Sequence, residues 1–430
     1  MPSIIILILL SALHLAWAVP AQKRAVNPTV VIPKPEATVG GSMGPNNIDT
    51  FNRIFFALPP AGPLRLKPPQ PIKTSQGTIQ ATSVAKSYPQ FLLSTDEKDV
   101  PSSVISKLFN ILMFQEIINS GEDCLTLDVR RPSKIKADAK LPVVVWIFGG
   151  GFEQGATKRY DGSNFVTNSV ELDMPVVFVT MNHRLGGFGF LPGTEILKDG
   201  TGVVDHRFAL QWVAENIAVS GGDPSKVDFW YHHELRQHCA CKFSRRHKRQ
   251  AIYDTVVKSA GCSGVSDTLA CLCELDYTKF LNAANSVPGI MGYNSVAESY
   301  LPRPDGTVLT ASLEQLVIQG KYASVPFIIG GQEDEGTIFA IYQNNVTTTE
   351  HIVDYLQSLY VFDPLRQQIT DFVATYRNIQ EDGSPFRTGS LYNWYPQYKR
   401  LAAILGDLSF TLIRRAFLDY AQKAKPDVPS

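Results

Sequence analysis

Two short runs of apolar, mostly β-branched residues limit the fold of this 430-residue chain more than any other feature. Residues 142–148 and 175–179 read PVVVWIF and PVVFV, and turn residues bound both runs. Strands that are apolar without alternation are typically buried on both faces, as in a parallel sheet. A helical apolar spacing follows over residues 208–219, and a further buried strand is predicted at residues 325–329. Strands that alternate with helices in this way predict an α/β fold.

The N-terminus has the pattern of an export signal. Residues 4–10 are apolar, and Ala16-Trp17-Ala18 places small residues at positions −3 and −1 of a cleavage site. The apolar run is too short to span a bilayer, and no later run is long enough, so we expect no stable membrane insertion. We therefore predict a signal peptide over residues 1–18 and a secreted, extracellular protein. A buried N-terminal helix is the alternative.

Export makes the six cysteines candidates for disulfides. Cys262 and Cys271 are close enough in sequence to close a small loop, and we predict that they pair. Asn345 opens the sequon Asn345-Val346-Thr347 and is a predicted glycosylation site. Forty basic and forty acidic residues cancel, so no net field attracts nucleic acid, and we expect no such partner.

A set of ordered motifs resembles the type-B carboxylesterase/lipase family, especially its fungal lipase branch. The motifs run in family order from residue 37 to about residue 420, with one break near residues 228–250. They include Glu122-Asp123-Cys124-Leu125, Trp146-Ile147-Phe148-Gly149-Gly150-Gly151-Phe152, Asn182-His183-Arg184-Leu185, Ala209-Leu210-Gln211-Trp212-Val213, Gly221-Gly222-Asp223-Pro224, Ser299-Tyr300-Leu301-Pro302-Arg303-Pro304 and Asp334-Glu335-Gly336-Thr337.

The resemblance implies an α/β-hydrolase, with a mostly parallel central sheet and helices on both faces, over residues 27–430. It implies hydrolysis of a small-molecule or lipid ester through an acyl-enzyme, with no cofactor and with transient contact with a lipid interface if the substrate is a lipid. That chemistry needs a nucleophile, a base, an acid that orients the base, and donors for the oxyanion. The resemblance assigns the donors to Gly150 and Gly151 and the acid to Glu335, rather than to its neighbour Asp334.

The nucleophile and the base are missing from the expected places. Tyr231, His233 and Leu235 occupy the positions where the family has the two glycines and the serine of G-x-S-x-G. The literal G-x-S-x-G at residues 40–44 lacks a following helix and is interpreted as a turn. Only His351 follows Glu335, in a pattern typical of a surface helix. In relatives the histidine lies further on, so we interpret the C-terminus as truncated and expect this chain to be inactive.

Residues 228–250, where the family motifs are interrupted, have three possible interpretations. The segment is rich in histidine, cysteine and basic residues, and a frame or splicing error in the gene is the preferred explanation. A divergent loop is the second, and a metal site at residues 232–247 is the third. Zinc sites usually show paired ligand spacings, which this segment lacks, so no metal is predicted.

Other departures leave further questions open. Arg53 stands where the family favours glycine, and Tyr88 stands near the place of a cysteine that would bridge to Cys124. Residues 104–118 predict an amphipathic helix that is either a lid-like flap or an ordinary packed helix. As an alternative function, the chain could be a non-catalytic, cholinesterase-like binding protein on the same fold.

Overall fold

The computed structural model describes residues 27–90, 120–198, 205–231, 244–306, 308–360 and 365–429. The predicted signal peptide, the predicted helix at residues 104–118 and residues 232–243 lie outside the described residues. The strands of the described chain are β1 (Thr29–Pro33), β2 (Glu36–Gly40), β3 (Ser42–Met43), β4 (Ile48–Phe55), β5 (Gly77–Gln80), β6 (Thr126–Pro132), β7 (Leu141–Ile147), β8 (Val177–Met181) and β9 (Gly222–Tyr231).

Strand pairing gives one small sheet and one central sheet. The small sheet has the order β1-β2-β5, and the central sheet has the order β3-β4-β6-β8-β7-β9. Strands β7, β8 and β9 are parallel, whereas the pairings of β3, β4, β6 and β8 with one another are antiparallel. The α/β prediction is confirmed, but the described central sheet is mixed rather than mostly parallel. Its parallel part consists of β7, β8 and β9, and the two apolar runs form β7 and β8.

The α-helices of the described chain are α1 (Ser163–Glu171), α2 (Gly186–Phe190), α3 (Thr194–Lys198), α4 (Asp205–Asn216), α5 (Ser244–Ala260), α6 (Thr268–Glu274), α7 (Tyr277–Ala284), α8 (Leu313–Ile318), α9 (Thr349–Leu359), α10 (Arg366–Ala374), α11 (Tyr398–Gly406) and α12 (Leu412–Ala424). Two of them cover opposite faces of β7. Val143 and Val145 share a core with Trp212 of α4, while Val144 packs with Val166 of α1. Residues of β7 alternate between these cores because successive strand side chains point to opposite faces.

The strand prediction for residues 325–329 is wrong. These residues form neither a strand nor a helix, Val325 is half exposed and Ile328 is fully exposed. An apolar strand is buried only when neighbouring strands and helices cover it, and in the described chain β9 ends the central sheet. Phe229 and Trp230 of β9 are correspondingly 52% and 44% exposed.

The first residues of the break that was expected at residues 228–250 have ordinary strand structure. Strand β9 continues through Tyr231 in parallel register with β7, with Phe229 opposite Val145, and α5 begins at Ser244. Residues 228–231 of the expected break therefore belong to a regularly paired strand. Within the described part of the chain, no helix combines the length and apolarity needed to cross a bilayer.

The predicted disulfide is confirmed. Cys262 follows α5 and bonds to Cys271 of α6, with their Cα atoms 5.9 Å apart. Tyr88 and Cys124, which the resemblance places near each other, are both fully buried in one core, and burial raises the pKa of the Cys124 thiol. Arg53 has a φ of 56°, a left-handed conformation that explains why glycine suits this position.

Candidate active site

The glycine loop after β7 is the best-formed part of the candidate site. Gly150 and Gly151 have φ angles of 128° and 63°. A Cβ atom on Gly150 would lie 2.3 Å from the carbonyl oxygen of Gln154, so only glycine fits there. Among the described residues, no hydrogen bond uses the N–H of either glycine. The role of oxyanion donors, which the resemblance implies for these two N–H groups, stays a prediction.

Bonds on both sides hold this loop in place. The carbonyl oxygen of Gly150 accepts from the N–H of Glu153 and of Gln154 at 3.1 and 3.0 Å. The fully buried Glu153 carboxylate accepts from the N–H of Ile290 at 2.8 Å. On the other side, the Gln90 amide donates to the carbonyl oxygen of Gly155 at 2.8 Å. The loop conformation is thus set by side chains that lie far apart in the sequence.

Two histidines that the sequence left without a role lie behind the loop. The ring of His183 stacks on Phe148 at 4.4 Å, and His206 meets His183 edge-on at 4.3 Å. Burial lowers the pKa of His183 to about 4 and, with the neighbouring imidazole, that of His206 to about 3. Both rings are therefore neutral at pH 7. His183 and His206 form a pair because the fold brings their rings together. No local sequence pattern indicates this contact.

A buried ion pair supports the histidines. The Arg184 guanidinium donates to both carboxylate oxygens of Asp205, at 2.9 and 2.7 Å, and the Arg184 N–H also donates to Asp205 at 2.9 Å. Arg184 and Asp205 side chains are 4% and 1% exposed. Because the charges satisfy each other, they can remain ionised inside the protein.

The acid loop separates the three adjacent acids by their contacts. Asp334 accepts from the Ser384 hydroxyl and from the N–H of Phe386, both at 2.8 Å, while Glu333 pairs with Arg387. Glu335 is half buried and accepts a local bond from the N–H of Gln332 at 2.7 Å. Asp334 therefore connects this loop to residues 384–386, whereas the bond that Glu335 accepts lies within its own loop.

The remaining candidates behave as surface or strand residues. His351 is exposed on α9, and its Nδ1 atom lies 3.3 Å from the Thr347 N–H, as predicted for a surface helix histidine. Ser42 lies in β3 opposite Thr50, not in a turn, because Gly41 packs closely on the backbone of Thr50. This corrects the turn interpretation, while the serine still lacks the strand–turn–helix context of a nucleophile.

The nucleophile position itself lies just past the end of β9. Ile147 and Tyr231 are opposite each other, so β7, which the glycine loop follows, and β9 end at the same edge of the sheet. His233 and Leu235 lie outside the described residues. Among the residues that the structure describes, no group of three side chains could hold a metal ion, and most of the 232–247 segment is not among them.

A mixed central sheet with helices packed on both of its faces places this chain in the α/β-hydrolase fold class. The solved structure of EstA from Aspergillus niger shares this fold, with a TM-score of 0.72, 23% identity, and coverage of 94% of this chain and 76% of that one.

Sequence comparison gives the family. A model of the carboxylesterase family matches residues 30–232. Secreted lipase 1 of Botryotinia fuckeliana is 49% identical, over 96% of this chain and 78% of its own length. Secreted triacylglycerol lipase LIP1 of Gibberella zeae is 46% identical, over 95% of this chain and 75% of its own length. The chain belongs to the carboxylesterase family of carboxylic-ester hydrolases.

Proposed function

We propose that this chain is a secreted ester hydrolase of the lipase type by descent, and that its 430 residues do not form an acyl-enzyme. Relatives named as secreted lipases support export and a lipid ester as the ancestral substrate. Residues 27–430 would form one carboxylesterase domain, with Gly150 and Gly151 as oxyanion donors and Glu335 as the acid of a triad.

One observation carries the proposal. Strand β9 keeps its register with β7 up to Tyr231, and the next residues are His232 and His233, where the reaction needs a serine on a glycine-flanked turn. The match to the carboxylesterase family also ends at residue 232. We infer that the oxyanion donors are retained while the nucleophile position carries no serine.

The test is reaction with a serine-directed phosphonate, together with hydrolysis of short-chain nitrophenyl esters. We expect neither labelling nor hydrolysis above background from the 430-residue chain, because loss of one triad member already forfeits several powers of ten in rate. The Ser42→Ala variant is the matched control, because Ser42 lies in the only literal G-x-S-x-G of the sequence, which stands far from the expected position. Labelling of any serine would show that the nucleophile has been misplaced.

Sequencing the transcript across codons 225–260 distinguishes the two main interpretations of residues 228–250, a frame or splicing error and a divergent loop. A transcript that encodes G-x-S-x-G in place of residues 231–235 would support a frame or splicing error. If that transcript also encodes a base histidine after Glu335, its product should be active and should lose activity on Glu335→Gln. A transcript that encodes the present residues would favour a divergent loop, and with it a second candidate function as a non-catalytic binding protein. The register that β9 keeps with β7 through Tyr231 supports that candidate, because a binding protein needs the sheet but not the elbow.

Export and glycosylation are tested on the secreted protein. We expect Val19 at its N-terminus, because cleavage should follow Ala18. Asn345 is exposed in the turn before α9, where a glycan has room, so Asn345→Gln should remove an endoglycosidase-sensitive mass. Finding Met1 on the extracellular protein would contradict the export proposal.

A further inference from the structure

A cleft of about 430 Å³ lies between α4 and the small sheet. One wall is a single face of α4, with side chains spaced three, four and seven residues apart: Phe208, Gln211, Trp212 and Glu215. The β1–β2 turn at residues 33–36 and the loop at residues 71–75 form another wall. A volume of this size is typical of small-molecule sites, which range from about 300 to about 1,000 Å³. The glycine loop, the acid loop and the histidine pair contribute no residue to this cleft, so it is separate from the candidate active site.

Hydrogen bonds within the chain hold the walls of the cleft together. The Lys34 N–H donates to the side-chain oxygen of Asn216 at 3.0 Å, and the Asn216 amide donates to the Lys34 carbonyl oxygen at 2.7 Å. The Glu36 carbonyl oxygen accepts from the Ser75 hydroxyl at 3.2 Å and from the Gln76 N–H at 2.9 Å. The turn is thus fixed to the end of α4, and the loop is fixed to the turn. The cleft is therefore formed before a ligand arrives, as small-molecule sites usually are.

The deepest part of the cleft is apolar and aromatic. Phe56 and Trp212, at 5% and 4% exposure, are among the least exposed residues that line it. Three prolines, Pro33, Pro35 and Pro71, add rigid apolar surface to the walls. Rigid apolar surfaces of this kind gain dispersion energy when the C–H groups of a ring pack against them. The cleft therefore favours a ligand with a compact ring.

The rim of the cleft carries cations and anions in equal number. The charged lining residues are Lys34, Lys73, Glu36 and Glu215. The two signs are interleaved, because the Glu215 carboxylate accepts from the Gln211 amide at 3.2 Å and lies 4.0 Å from the Lys34 ammonium. Lys73 and Glu36 form no ion pair with any residue that the structure describes. A charged ligand is attracted by one sign and repelled by the other, whereas a hydroxyl group donates to carboxylates and accepts from ammonium and amide groups.

We propose that this cleft binds a neutral, polyhydroxylated ring compound, that is, one or two residues of a carbohydrate. The C–H face of the sugar ring packs on Phe56 and on the prolines of the walls. Its hydroxyl groups bond to Glu36, Lys73 and Gln211 at the rim. This binding needs neither a nucleophile nor a base, so it goes beyond the proposed ester chemistry and does not depend on it.

The first test titrates cellobiose, maltose and diacetylchitobiose into the 430-residue chain and measures each dissociation constant by calorimetry. We expect at least one of these neutral sugars to bind. Replacing Glu36 and Gln211 together by alanine should weaken that binding about tenfold or more, because two partners of the hydroxyl groups are lost. Glu381→Ala combined with Gln319→Ala is the matched control, since it removes the same two exposed side-chain types outside the cleft. Binding of none of the three sugars, or equal losses in the two double variants, would overturn the proposal.

Two further measurements use the unaltered chain and do not depend on how well a variant folds. Glucuronate, glucosamine and leucine serve as anionic, cationic and zwitterionic ligands, and we expect each to bind no more tightly than glucose. Tighter binding of any of them would assign the cleft to a charged ligand and refute the balance of charges. Hydrogen exchange should slow at residues 33–36 and 71–76 when the sugar is bound, and protection confined to other residues would place the sugar outside the cleft. Since no assay here uses an ester, failure of this proposal is separate from failure of the proposed function.

Discussion

Replacing His183 by glutamine should reduce the free energy of unfolding that this protein loses when the pH falls. His183 is 2% exposed, stacks on Phe148 and lowers the pKa of the neighbouring His206. Burial holds the pKa of His183 at about 4, below the value of 6.5 for an exposed histidine. Below pH 6.5 the unfolded chain therefore binds a proton at this position that the folded chain does not bind.

The magnitude follows from linkage between proton binding and unfolding. The contribution of His183 is fully present above pH 6.5 and declines as the pH falls towards 4. At pH 5, one and a half units below 6.5, the loss amounts to about 2 kcal/mol for His183 alone. His206 adds a loss of the same sign, because burial and the adjacent ring lower its pKa as well.

Urea unfolding at pH 7.5 and pH 5 measures this effect as a difference within each protein. We expect the free energy of unfolding of His183→Gln to fall by about 2 kcal/mol less than that of the unaltered chain between the two pH values. His351→Gln is the control, because His351 is exposed on α9. If both variants keep the pH dependence of the parent, His183 is not held neutral by burial, and the reasoning fails.

Three further variants test the packing around the site by the free energy of unfolding. Cys262→Ser opens a short disulfide loop and should lower the free energy of unfolding by about 2–3 kcal/mol. The variant should then be as stable as the parent protein with its disulfide reduced. Gly150→Ala should cost about 1–3 kcal/mol more than Gly77→Ala, because both have positive φ but only Gly150 faces a backbone oxygen. Arg184→Met leaves the Asp205 charge buried and should cost about 3–5 kcal/mol, part of which Asp205→Asn should restore. A cost below 1 kcal/mol would mean that the ion pair is not desolvated.

Local patterns in the sequence were sufficient for the features that depend on near neighbours. The apolar runs form β7 and β8, and the helical spacing over residues 208–219 lies largely in α4, which begins at Asp205 and ends at Asn216. The Cys262–Cys271 pair is separated by few residues, so chain connectivity alone brings the two thiols close. The glycine loop after β7 was recognisable because its backbone conformations exclude side chains.

Tertiary structure decided the features that depend on distant neighbours. The apolar pattern at residues 325–329 predicts a buried strand, yet no strand pairs with it among the described residues, and the Phe327 N–H donates to the carbonyl oxygen of Pro429 instead. The hydrogen bonds that Asp334 accepts come from a loop some fifty residues later. His183 gains its low pKa from enclosure with Phe148 and His206. A sequence determines which side chains prefer to be buried, whereas burial itself, and the charge state that follows from it, is a property of the assembled neighbours.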